Sequence, residues 1–294
     1  MTYKIAKDED DNEALYMNAV IHNDTVELDW VHEEDNADTY PQRCLARVKT
    51  IANAEALSFP PQSAFLMLRL YRRGDVSVSG MACADGYREQ AIRLAKQGAL
   101  EMYDAVYPDV ALKAREFVEE SIDNLKRLAA LDVLPLIEAG AGQQLAADQL
   151  LPDLLNRAKD ELKKSGEFEQ KVGWLVNNGI ALFPIGKAPY EKYRFFKAIS
   201  EVARTVGAKA VVYLLDGYVL TPDGQRTGKE LLQVMWVNPD ATTVSAFQVY
   251  TRKKHPLVPQ AIIDFAPAEA SSAEPSTSKM EQYLIPAWGL HQPD

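Results

Sequence analysis

The sequence predicts an α+β protein: a mainly helical N-terminal domain with an early β-hairpin, then an α/β sandwich domain with a mostly antiparallel sheet. Three observations carry this expectation. Apolar residues recur at helical spacing across much of 41–134. The pair Asn178-Gly179, a strong tight-turn signal, separates two apolar runs. Three runs rich in β-branched and aromatic residues then fall between 209 and 253. A chain of 294 residues is long enough for about two domains.

The elements follow in order. Residues 15–31 alternate loosely, with His22-Asn23-Asp24-Thr25 as the turn of the early hairpin. Pro41 can open a helix over 41–57, and Pro60-Pro61 a second that ends at Gly74. A competing reading makes 64–82 a β-hairpin turning at Arg73-Gly74-Asp75, because Val76 and Val78 alternate with Ser77 and Ser79. Residues 87–107 form a third helix, with Ala91, Ile92, Ala95, Ala99, Met102, Tyr103 and Val106 on one stripe. Pro108 opens a fourth over 109–134. Small and polar residues at 139–149 mark a boundary, giving a helical domain over 39–140 and an α/β domain over 150–266. The latter reads as a helix at 151–164, a hairpin at 172–186, a helix at 189–207 and strands at 209–220, 230–237 and 243–253. Residues 267–279 have almost no bulky side chain and read as a disordered linker, after which 280–294 form an apolar tail.

Charge is unevenly placed. Residues 1–38 hold twelve acids and two bases, which is the whole net charge of −10. Residues 39–98 hold nine bases and four acids. An acidic arm thus precedes a basic segment, either as a solvated surface or as a cover for that segment when no partner is bound. No apolar run is long enough to span a bilayer, and the acidic N-terminus lacks the order of a signal peptide, so the expected location is cytoplasmic. Cys44 and Cys83, the two cysteines, read as reduced thiols.

Within 78–97, Ala82, Gly86 and Ile92 have the spacing of a small residue, a turn glycine and a branched apolar residue. This resembles the helix-turn-helix pattern, in which the small residue lets two helices approach and glycine takes the left-handed turn. The resemblance implies that Arg88, Arg93 and Lys96 face a DNA groove, with Arg43, Arg47, Lys49, Arg72 and Arg73 adding attraction for phosphates. Asp85, where the pattern usually has an apolar residue, departs from it.

The α/β domain carries an acidic residue at the end of an apolar strand and before an aromatic, in 212–218. With its order of elements over about 165–255, it resembles a small α/β domain of bacterial and phage proteins, a family that brings no assigned activity. Asp216, Asp223 and Glu230 gather around a strand end and turn, and are the weak candidates for a hard-metal site. Asp153, Glu161 and Lys163 follow the residue order of a metal-dependent nuclease, but one helical pattern spreads them around its axis. The histidines are isolated, and no nucleophile elbow or phosphate loop is present. No catalytic residue or cofactor is therefore assigned. The tail offers Tyr283, Leu284, Ile285 and Trp288 as anchors for a protein partner or for self-association. The expected function is a non-enzymatic binding or regulatory protein, phage- or mobile-element-like, that contacts DNA. The alternatives are a protein-interaction module acting through the α/β domain and tail, and a metal-dependent enzyme using Asp216.

Overall fold

A computed structural model describes residues 5–7, 11–30, 60–130, 147–176, 179–187, 191–221, 223, 225–255 and 258–266. The expected helix at 41–57 with Arg43, Arg47 and Lys49, the boundary segment at 139–146, and the linker and tail at 267–294 lie outside these residues. The chain divides into two compact units, Met1–Leu112 with Tyr190–Arg194, and Lys113–Pro189 with Phe195–Asp294.

The first unit corrects the expected fold class, because it is built on an antiparallel sheet. Its strands are β1 (Ile5–Lys7), β2 (Glu13–His22), β3 (Thr25–Trp30), β4 (Ser63–Tyr71) and β5 (Val76–Cys83). β2 is central. It pairs along one side with β4, from Ala14↔Tyr71 to His22↔Ser63, and along the other with β1 and then β3. The acidic stretch read as an arm therefore supplies the middle of the sheet, with Leu15, Met17, Ala19 and Ile21 fully buried. Asn23 and Asp24 both take positive φ, 48° and 63°, the conformation that a two-residue hairpin turn requires.

The run 63–71 is where helix and strand readings compete. A short continuous apolar run cannot be assigned by periodicity alone. Nonlocal pairing with β2 decides it, and β4 then turns through Gly74 (φ 89°) into β5. The competing hairpin reading of 64–82 is the one that matches this geometry.

Helix α1 (Arg88–Glu101) packs on this sheet through Ala91, Ala95 and Ala99, one face of alanines at four-residue spacing. Its small side chains allow close approach: a Cβ on Gly98 would lie 3.2 Å from Val26 Cγ1. The Tyr87 hydroxyl and Gln90 Nε2 donate to Asp24 Oδ1 at 3.1 and 2.6 Å, tying the helix start to the β2–β3 turn. A short helix α2 (Tyr103–Val106) and the long α3 (Pro108–Ala130) follow.

The second unit has a six-stranded antiparallel sheet in the order β11-β10-β9-β8-β6-β7. Its strands are β6 (Lys171–Val176), β7 (Gly179–Pro184), β8 (Ala210–Leu220), β9 (Arg226–Val237), β10 (Thr243–His255) and β11 (Val258–Phe265). Alternation along the strands divides the core. Trp174, Val211, Tyr213, Met235 and Val237 pack with α3 and with α5 (Lys192–Thr205). Val212, Leu214, Leu232, Val234, Trp236 and Tyr250 pack with α4 (Ala147–Ser165). Both faces are covered, which is why these strands read as near-continuous apolar runs.

Candidate functional site

The sheet of the second unit places Asp216 of β8 and Glu230 of β9 on the face covered by α4, two residues beyond the buried Leu214 and two before the buried Leu232. Across β10, Tyr250 stands opposite Glu230 in register, and Arg252 follows on the same face. The phenol oxygen of Tyr250 lies 2.6 Å from Asp216 Oδ1 and 2.8 Å from Glu230 Oε2, so its one proton is shared between two carboxylates. Arg252 Nε donates to both Glu230 oxygens at 3.0 and 2.8 Å. Arg252 Nη2 donates to Asp216 Oδ2 at 3.1 Å and to the Tyr250 hydroxyl at 3.0 Å. Its Nη1 donates to the carbonyl of Gly166, just past the end of α4.

Burial sets the electrostatics of this cluster. It pushes the Asp216 carboxyl above its ordinary value of 3.8, against the opposing pull of Tyr250 and Arg252. Burial and then the two carboxylates push the Tyr250 phenol far above its usual range. For Arg252 burial opposes the charge, but the hydrogen bonds with Glu230 and Tyr250 outweigh it and hold the guanidinium charged.

Two carboxylates, one guanidinium and one phenol thus satisfy one another. A cation seated between Asp216 and Glu230 would have to displace Arg252 from both. Asp223, the third residue of the expected metal set, lies on the turn beyond the Leu220↔Arg226 pair and is not brought to the cluster. Among the described residues, no three or more His, Cys, Asp or Glu side chains gather as a metal would require.

The cluster stands at the root of a projecting ribbon. β6 accompanies β8 only as far as Leu214, and β10 accompanies β9 only from Glu230. Beyond these points β8 and β9 continue as a two-stranded ribbon to Leu220 and Arg226. Tyr218 is 52% exposed and Leu220 55% exposed, although both are large apolar side chains. The Arg226 guanidinium lies 3.9 Å from the centre of the Tyr218 ring, a cation–π contact. Gly228, at φ 77°, lies opposite the register shift between Tyr218 and Leu220.

In the first unit, the residues expected to bind DNA are placed differently from the motif. Ala82 lies on β5, paired with Phe65, so a strand stands where the first helix of the pattern would be. Gly86 has the positive φ, 73°, that the turn demands, and Ile92 packs against the core. Arg88, Arg93 and Lys96 are exposed on α1, interleaved with the exposed Glu89. Arg88 and Arg93 are about 140° apart around the helix, with Lys96 and the acidic Glu89 on the arc between them. Arg72 is drawn into ion pairs with Asp109, with Glu191 at 3.0 Å and with Glu13 at 3.9 Å, and Arg73 pairs with Asp75. Arg43 and Arg47, with the tail residues Tyr283, Leu284, Ile285 and Trp288, are outside the described residues.

Tyr218, Leu220, Arg226, Tyr250 and Arg252 were not legible as site residues. The one available signal was Tyr218 and Leu220 beside a turn, on a strand whose inner half is wholly apolar. No protein-family model, curated protein or solved structure shows detectable similarity to the chain. Among the described residues, no helix is long and apolar enough to cross a membrane.

Proposed function

We propose that the chain is a non-enzymatic binding protein whose contact element is the β8–β9 ribbon and whose partner is a protein. The observation that carries this is the exposure of Tyr218 and Leu220 on a ribbon projecting past its own sheet, with Arg226 stacked on Tyr218. Tyrosine and arginine are among the residue types that dominate interface energetics, and a ribbon already paired as two strands presents them with less ordering cost than a loose segment would. The matching surface on the partner is an apolar pocket for Leu220 and Tyr218, rimmed by carboxylates for Arg226 and Lys229. The DNA reading has less support, because Arg72 and Arg73 are held in ion pairs, Glu89 lies among the exposed bases of α1, and Ala82 lies on a strand instead of a helix.

The test is photo-crosslinking with benzoylphenylalanine in place of Leu220, in lysate from the source cells. Leu112, 53% exposed and in the other unit, is the control position. A discrete protein adduct at position 220 that is absent at 112 is the expected result. No adduct, the same adducts at both positions, or an adduct to nucleic acid at position 220 would overturn the proposal.

A further inference from the structure

The cover that α3 and α5 give the second sheet ends part-way across it. Met235 and Val237 of β9 lie in that core, and Leu215 of β8 packs at its border. Further along β9, toward the ribbon, register puts Leu231 beside Gly217 of β8 and beside Val249 of β10. Strand alternation sets these residues, with Phe247, on the α3–α5 side, opposite the Asp216–Tyr250 cluster. Leu231, Phe247 and Val249 are partly exposed, and among the described residues neither core of the unit includes them. Ile262 of β11, on the same side, is 46% exposed.

Gly217 makes this apolar face concave. A Cβ there would meet none of the described atoms within 4 Å. Leu215 stands beside it along β8 and Leu231 opposite it on β9, so bare backbone forms the bottom of an apolar well. A glycine inside a strand marks a place where another group can approach the backbone closely. An aromatic ring laid across it restores the contacts that the missing side chain forgoes.

The course of the chain supplies the occupant. Ala266, just past β11, donates its N–H to the Val249 carbonyl at 2.9 Å, so the chain leaves the sheet beside this face. Three strand spacings, about 14 Å, separate β11 from β8. The 13 residues 267–279 can span up to about 45 Å. They lead to 280–290, which carry Tyr283, Leu284, Ile285 and Trp288. Pro286 among them has no N–H for a sheet edge, which favours contact through side chains over strand addition.

We propose that the segment 280–290 docks on this face of its own chain, with the Trp288 ring over Gly217 and against Leu231, Phe247 and Val249. Tethering raises the effective concentration of the segment to the order of millimolar. Side-chain contacts too weak to join separate molecules then suffice within one. The seat lies on the opposite side of the sheet from Tyr218 and Leu220, so it does not rest on the ribbon as a contact element.

Benzoylphenylalanine in place of Trp288, irradiated in the dilute, purified full chain and mapped by peptide mass spectrometry, tests this directly. The expected product is a single-chain adduct joining position 288 to peptides that hold 215–219, 231 or 247–249. Gly217→Val fills the well, and valine suits a strand position whose φ is not positive. This variant is expected to lose the adduct with its circular dichroism unchanged. Phe247→Ala, which truncates a partly exposed side chain of the same face, is expected to lower the adduct yield. An adduct elsewhere on the chain, an adduct joining two chains, no adduct, or an adduct unchanged in both variants would each overturn the proposal.

Discussion

At the scale of single residues, Arg252 ties the cluster together, because it alone touches both carboxylates, the phenol and the Gly166 carbonyl. Removing one partner of a largely buried ion pair leaves the others charged and unsatisfied. Arg252→Ala is expected to cost about 2–3 kcal/mol in urea unfolding, less than for a fully buried pair, because the side chain is 26% exposed. A loss under about 0.5 kcal/mol, the ordinary size for a surface change, would contradict this mutual satisfaction of the four side chains.

Asp216 gives a prediction of opposite character. Its carboxyl is pushed above 3.8 by burial. A carboxyl whose folded pKa exceeds its unfolded value contributes stability that is complete below the unfolded value and is lost as pH rises through the folded one. The charge on Asp216 therefore works against folding at neutral pH, and Asp216→Asn removes that opposition. The melting temperature of the variant, relative to the native chain, is expected to be more favourable at about pH 7 than at about pH 3.5. A difference that is constant with pH, or reversed, would show that Arg252 and not burial governs this carboxyl.

At the scale of elements, the β4–β5 turn and the β8–β9 ribbon show what local pattern does and does not determine. Gly74 holds φ 89°, and a Cβ there would sit 1.9 Å from Tyr193 Cβ. Gly86 holds φ 73° with open space around it. Gly74→Ala is therefore expected to cost about 2–3 kcal/mol, combining backbone strain and overpacking. Gly86→Ala is expected to cost about 1 kcal/mol, from the backbone alone. Equal costs in chemical unfolding would contradict this packing of the turn. The sequence allows Gly74 as a helix end or as a hairpin turn, and Gly86 as the turn of the helix-turn-helix pattern. Both roles ask for positive φ, and only the pairing of β4 with β2 distinguishes a helix end from a hairpin.

For the whole molecule, legibility followed sequence separation. The runs at 209–220, 230–237 and 243–253 were readable as strands because they are long, β-branched and bounded by turn residues, and they lie on β8, β9 and β10. The first half was misread as mainly helical because 60–73, an apolar run behind two prolines, looks alike as a buried strand or a helix. β11 was missed: its Pro259 argues against a strand except at a sheet edge, which is where it lies. The Asp216–Glu230–Tyr250–Arg252 cluster assembles only through three-strand register. Sequence showed its two carboxylates as a metal candidate and gave no sign of the arginine that satisfies them. The ribbon likewise becomes visible only where β6 and β10 stop accompanying β8 and β9.

The claim that this ribbon is the binding element is tested most directly by affinity. The partner recovered by crosslinking at position 220 is titrated with the native chain, with Tyr218→Ala/Leu220→Ala and with Arg88→Ala/Arg93→Ala. Loss of two central anchors is expected to weaken binding about 100-fold or more, since each anchor contributes above about 1–2 kcal/mol, while the α1 variant binds as the native chain does. Native affinity in the ribbon variant, with loss in the α1 variant, would contradict the assignment and move the interface to the first unit.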